Sequence, residues 1–166
     1  MAQFGAKAQE RHAARGPEVP IAAPRGLVYA DRGAAARPAD TVKPTKVLVV
    51  DDSELMHRMY ALFLRGVSLV HARDGEEALE RLSANADVDL VLLDINMPKK
   101  SGFEVLTALG ERGVVPRLPV IVVTTEGREE DAARGLAAGA AAYLTKPFQA
   151  DQIRAAISAL PETVAS

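Results

Sequence analysis

Four short, unbroken apolar runs, and a fifth broken by one histidine, recur along the second two-thirds of the chain, and this pattern restricts the fold more than any other feature. They are Val47–Val50, Leu69–Ala72, Leu90–Leu93, Val120–Val123 and Ala141–Leu144. A continuous rather than alternating run of this length is the mark of a strand buried on both faces. Between the runs lie segments of helical period. Leu55, Met59, Leu62 and Phe63 form one stripe, and Ala78, Leu79 and Leu82 a second. Ser101 followed by Glu104 reads as a capping box that opens a helix burying Phe103, Leu106 and Leu109. A fourth helix is expected from Arg128 to Leu136, and Ile153, Ala156, Ile157 and Leu160 mark a fifth. Strands alternating with helices predict an α/β chain: a (βα)5 sandwich whose central five-stranded parallel sheet carries right-handed crossovers.

The segment before these runs is different. Ala, Gly and Pro fill nearly half of residues 1–43, and Pro17, Pro20, Pro24, Pro38 and Pro44 interrupt any long helix. Seven Lys/Arg against four Asp/Glu give residues 1–43 a charge of +3, and the remainder carries -5. So little apolar surface cannot offset the entropy of ordering. Residues 1–44 therefore read as a disordered extension, 45–162 as the folded domain and 163–166 as a short tail. The absence of cysteine excludes disulfides and thiolate metal sites. A net charge of -2 gives no reason to expect DNA as a partner. No apolar run approaches the roughly 20 residues of a membrane span, and no secretory signal opens the chain. A cytoplasmic protein without membrane insertion is the expectation.

In a doubly wound parallel sheet, functional groups gather beyond the carboxyl ends of the strands. The residues just past the runs are Asp51 and Asp52, Asp94, Thr124 and Thr125, and Thr145, Lys146 and Pro147. Taken singly, an aspartate after a strand is usually a turn former or a helix cap. Together, three carboxylates, a hydroxyl and an ammonium converge on one sheet edge. Two carboxylates about 4 Å apart repel by roughly 4 kcal/mol at an effective dielectric near 20. Three of them ask for a bound cation, and oxygen-only ligands favour a hard one, Mg²⁺ or Mn²⁺.

The stretches Val47-Leu-Val-Val-Asp-Asp-Ser53, Leu93-Asp-Ile-Asn-Met-Pro98, Val122-Val-Thr-Thr-Glu126 and Tyr143-Leu-Thr-Lys-Pro147 resemble the receiver domain of two-component response regulators, particularly the chemotaxis type. Intervals of 42, 30 and 22 residues separate Asp52, Asp94, Thr124 and Lys146. The last two fit the family; the first is slightly short, with the deficit around Arg65-Gly66-Val67. The resemblance covers roughly residues 45–161 and implies a flavodoxin-like fold. It also implies that Asp94 accepts a phosphoryl group from a histidine kinase or a histidine phosphotransfer protein. Asp52 and Asp94 would bind Mg²⁺ directly, Asn96 through its backbone carbonyl, and Asp51 through a water. Lys146 would pair with Asp94 at rest and with a phosphoryl oxygen afterwards. Thr124 would donate its hydroxyl to the phosphoryl group, and Tyr143 would be the aromatic switch. The output surface would be the fourth helix, fifth strand and fifth helix (α4-β5-α5 in a five-strand count), and Lys146-Pro147 would be a cis peptide. Asn96 and Glu126 match receivers that lose phosphate quickly, and Thr125 would narrow access to the acyl phosphate.

Only one helix fits between the fifth strand and Ser166, so the expected protein is a stand-alone regulator, or a phosphorelay shuttle or phosphate sink, acting through protein contacts. A receiver-fold interaction module working without phosphorylation is the alternative; it usually goes with a degraded acidic site. An aspartyl phosphatase would carry a second Asp where Asn96 stands. A nucleotide-binding flavodoxin-like chain would need a glycine loop where Asp51-Asp52-Ser53 lies. His57 and His71 read as residues of a helix face and a strand.

Overall fold

The computed structural model describes residues 26–29, 43–115 and 117–160. The five apolar runs become strands β2 (Lys46–Val50), β3 (Ser68–Ala72), β4 (Leu90–Leu93), β5 (Val120–Thr124) and β6 (Ala142–Thr145), preceded by β1 (Leu27–Tyr29). Helices α1 (Glu54–Phe63), α2 (Gly75–Ala84), α3 (Gly102–Glu111), α4 (Glu129–Ala137) and α5 (Ala150–Ser158) follow β2 to β6 in turn. Strand order across the sheet is β1-β6-β5-β4-β2-β3. Strands β2 to β6 are parallel, and β1 runs antiparallel to β6.

Successive strand residues point to opposite faces, and each face has its own core. Val47, Val49, Leu90, Leu92, Ile121, Val123, Ala142 and Leu144 meet Tyr60, Leu64, Ile153 and Ile157 on the side of α1 and α5. Leu48, Val50, Val91, Leu93, Val120, Val122 and Tyr143 meet Ala78, Val105, Leu106, Leu109 and Ala132 on the side of α2, α3 and α4. Burial on both sides is why the runs of β2, β4, β5 and β6 are continuous rather than alternating, whereas β3, at the sheet edge, is buried only at Ala72.

Three expectations change. The sheet has six strands, because Leu27–Tyr29 pairs with Leu144, Tyr143 and Ala142. The extension 1–44 is therefore not wholly without structure. Leu27 is buried in the core on the α1/α5 side, which an edge residue gains only by docking. Residues 1–25, 30–42 and 161–166 lie outside the described residues, and the readings made of them stay expectations. On α1 the inward face is not the Leu55 stripe. Leu55 is 66% and Leu62 58% exposed, while His57 and Tyr60 are buried. The ring bodies of His57 and Tyr60 fill the core at helical spacing, and the aliphatic residues beside them turn outward. Phe103 is only half-buried; the Arg134 guanidinium lies 4.1 Å from its ring centroid. The expected capping box is present, with Ser101 and Glu104 each bonding the other's backbone.

Loop geometry sets the site. The short stretch between α1 and β3 turns at Gly66, whose φ of 87° suits a residue without Cβ. At Gly102 a Cβ would stand 2.2 Å from the Asp94 carbonyl oxygen. Glycine there lets the start of α3 press against the backbone of Asp94.

Candidate functional site

Strand order reverses between β2 and β4, which both leave the sheet toward the same edge. This is the switch point where a doubly wound sheet opens a crevice. Asp51 and Asp52 follow β2, Asp94 follows β4, Thr124 ends β5 and Lys146 follows β6. The fold thus brings together the residues that the sequence placed at the strand ends.

Carboxylate oxygens of Asp51, Asp52 and Asp94 all lie within 4.8 Å of one another. Asp51 and Asp94 are buried, and Asp52 is exposed at the mouth. Lys146 reaches in from the far strand and donates to Asp51 Oδ2 at 2.7 Å and to Asp94 Oδ2 at 2.8 Å. The ammonium is therefore shared between two carboxylates rather than paired with Asp94 alone. Burial pushes the Asp51 carboxyl above its usual range, against the pull of Lys146 and the Ser53 amide. Burial also opposes the charge on Lys146, but the two carboxylates outweigh it and raise the ammonium's pKa.

One ammonium against three carboxylates leaves a surplus of two negative charges in a largely enclosed crevice. A divalent cation would balance that surplus, and the donor set is all oxygen. The residues fit Mg²⁺ or Mn²⁺. Asn96 stands two residues beyond Asp94, and its backbone N–H donates to Asp94 Oδ1 at 3.1 Å.

Thr124 is fully buried beside this group, and both contacts at its Oγ1 are donations to that oxygen, from Asn96 Nδ2 at 3.5 Å and the Glu126 amide at 3.4 Å. The Asn96 amide also reaches Thr125 Oγ1 at 3.3 Å, so Asn96 and Thr125 together border the mouth. Tyr143 on β6 points inward and is buried, and its hydroxyl donates to the Glu126 carbonyl. Burial first, and the nearby Asp131 and Glu126 next, push its phenol up to about 12. The Lys146-Pro147 bond is cis.

Two contacts escaped the sequence reading. Lys146 binds Asp51 as well as Asp94, which depends on side-chain direction rather than on strand order. His57 and His71 meet through their Nδ1 atoms at 2.7 Å, and His57 Nε2 lies 2.7 Å from the Asp51 carbonyl oxygen. No motif signals that pairing; only adjacency of α1 and β3 creates it.

The doubly wound fold, with an acidic crevice and a lysine across it, defines the class, and comparison gives its family. The response regulator receiver domain matches residues 47–158, and the chain belongs to that family. Receiver domains serve two-component signalling and bind Mg²⁺ at an acidic pocket. They interact with histidine kinases and with downstream targets.

Chemotaxis protein CheY1 of Helicobacter pylori is 36% identical over 106 residues, covering 62% of this chain and 86% of that protein. The transcriptional regulatory protein CpxR of Escherichia coli is 41% identical over 117 residues, covering 69% of this chain and 48% of that one. A gliding motility regulatory protein of Myxococcus xanthus is 40% identical over 116 residues, which is 67% of this chain and 15% of that protein. The chain thus spans half or less of the length of these last two relatives. Among solved structures, Vibrio cholerae chemotaxis protein CheY4 matches with a TM-score of 0.65 and 33% identity, covering 70% of this chain and 98% of that one. A Borrelia burgdorferi CheX–CheY–BeF3–Mg²⁺ complex matches with a TM-score of 0.65 and 29% identity, covering 69% and 87% of the two chains. Among the described residues, no helix is long and apolar enough to cross a membrane.

Proposed function

We propose that this chain is a stand-alone response regulator that accepts a phosphoryl group on Asp94 and signals through protein contacts. The observation that carries the reading is the crevice itself: a buried carboxylate, two further carboxylates within 4.8 Å of it and one lysine bonded to two of the three.

The partner would present a phosphohistidine, on a histidine kinase or a phosphotransfer protein. An Asp94 carboxylate oxygen attacks phosphorus, the P–N bond breaks, and its electron pair stays on the imidazole, which takes up a proton. A carboxylate is a weak nucleophile toward an anionic group, so positioning and charge neutralisation make up most of the catalysis. Mg²⁺ held by Asp51, Asp52, Asp94 and the Asn96 carbonyl would supply charge neutralisation at the transferring oxygens. Lys146 exchanges its bond to Asp94 for one to a phosphoryl oxygen. Thr124 accepts at its oxygen from Asn96 and Glu126, so its hydroxyl hydrogen is available to a phosphoryl oxygen. Movement of Thr124 would alter the space around Glu126 and Tyr143 and bias the face of α4, β6 and α5 between two arrangements. Asn96, Thr125 and Glu126 at the mouth set how readily water reaches the acyl phosphate. The chemistry is self-phosphorylation and self-dephosphorylation rather than turnover of a free substrate.

Beryllofluoride with Mg²⁺ imitates the aspartyl phosphate and tests the reading without a kinase. Amide resonances of Asp94, Thr124, Tyr143 and Lys146 are expected to shift in the wild type and to stay in place in Asp94→Asn. No shift in the wild type, or an equal shift in the variant, would remove Asp94 from the role.

A further inference from the structure

The histidine pair behind the acidic crevice has a geometry that the reading above does not use. His57 on α1 is buried, and His71 on β3 is exposed. Their rings meet edge to face, 4.7 Å between centroids and 78° between planes. Nδ1 faces Nδ1 at 2.7 Å, and the remaining nitrogen of His57, Nε2, lies 2.7 Å from the backbone oxygen of Asp51.

Hydrogen-bond chemistry fixes the protons. A carbonyl oxygen only accepts, so His57 Nε2 carries hydrogen. In neutral His57 the Nδ1 atom is then a lone pair, and His71 must donate from its own Nδ1. Burial, and then the neighbouring His57, push the His71 imidazole below its usual range, while Glu54 opposes them. The Asp51 carbonyl thus selects the tautomer of the buried ring, and the exposed ring matches it by donating from Nδ1.

The carbonyl that receives this bond has lost its place in the sheet. The Asp51 amide donates to the Ala72 carbonyl at 3.1 Å, which is the last rung between β2 and β3. Strand β3 ends at Ala72, and Asp74 turns away to cap α2, so no further amide of that ladder answers the Asp51 carbonyl. A buried carbonyl without a donor is costly. His57 supplies the donor from the first turn of α1. The Asp51 peptide is thus held at both ends, by Ala72 and by His57. Its side chain is held by the Ser53 amide at 2.9 Å and by Lys146.

We propose that His57 is a positioning residue for the cation site, fixing the Asp51–Asp52 peptide so that both carboxylates face Asp94, and that His71, by donating to His57 Nδ1, stabilises the tautomer that this bond needs. The proposal rests on the Mg²⁺ site of the phosphoacceptor reading. It extends to backbone the way outer hydrogen bonds orient metal ligands, whose loss typically weakens metal affinity about 10- to 100-fold.

Two readouts on the full chain test it. Long-range ¹H–¹⁵N NMR of the metal-free protein is expected to show His57 protonated at Nε2 and His71 at Nδ1. His71 protonated at Nε2 alone would overturn the relay. Calorimetric titration with Mg²⁺ is expected to give a dissociation constant about tenfold weaker in His57→Leu. His57→Gln, which can offer an amide N–H to the same carbonyl, should recover most of that loss. A purely structural role would lower the unfolding midpoint of His57→Leu and leave its Mg²⁺ affinity at the wild-type value, and that result overturns the proposal. If His57→Leu does not fold, His71→Leu decides: weaker Mg²⁺ binding supports the relay, and wild-type affinity contradicts it. Failure of the wild type to bind Mg²⁺ would overturn the phosphoacceptor reading itself, and this inference with it.

Discussion

At the scale of single residues, the site is a balance of charges that burial makes consequential. Asp51 and Asp94 share one ammonium in a buried crevice, with Asp52 beside them at the mouth. These residues were legible in the sequence because each sits one place beyond an apolar run, where a parallel sheet delivers its chemistry. The histidine pair was not legible, since nothing in the spacing of His57 and His71 says that α1 will lay one ring against the other. Tyr143 offers a direct check on the inward position of its ring. Its phenol is held up to about 12, against about 10 in an unfolded chain. The native state therefore keeps a proton that the unfolded chain gives up. Tyr143 contributes its full stabilisation below about pH 10, and that contribution is lost as pH rises through about 12. Ultraviolet titration of phenolate should show a step near 12 that disappears in Tyr143→Phe. A step near 10 lost in that variant would mean that the ring is solvated.

At the scale of elements, the five βα units follow from pattern, and the departures have physical causes. Strand β1 has three residues in a Pro- and Gly-rich stretch, too short to show alternation, and it exists only because the β6 edge offers it a ladder. The α1 stripe was misphased because His57 and Tyr60 carry polar atoms. A hydropathy pattern rates Leu55 and Leu62 above them, although the ring bodies are what the core takes in. Docking of β1 makes the extension part of the domain's stability. Burying Leu27 contributes about 2 kcal/mol, the ladder to β6 adds to it, and ordering the strand takes back most of the sum. Deleting residues 1–30 is therefore expected to lower stability by roughly 1 kcal/mol, read as a lower urea midpoint. Leu27→Asp in the full chain should reproduce most of that loss. An unchanged midpoint in both would show that β1 does not hold the sheet edge.

At the scale of the whole molecule, a doubly wound sheet separates two tasks. Its carboxyl edge concentrates Asp51, Asp52, Asp94, Thr124 and Lys146, while β6 carries Tyr143 from that edge toward the face formed with α4 and α5. If Asp94 accepts a phosphoryl group as proposed, the charge gained at the first place would bias packing at the second. Everything in this account turns on Asp94 as the acceptor. The most direct measurement is incubation with acetyl phosphate and Mg²⁺, followed by borohydride, which reduces an acyl phosphate to an alcohol and marks its position for peptide mass mapping. One phosphoryl group per chain is expected, with a homoserine at position 94 alone and no incorporation without the metal or in Asp94→Ala. Incorporation at another residue, or equal labelling of Asp94→Ala, would contradict it.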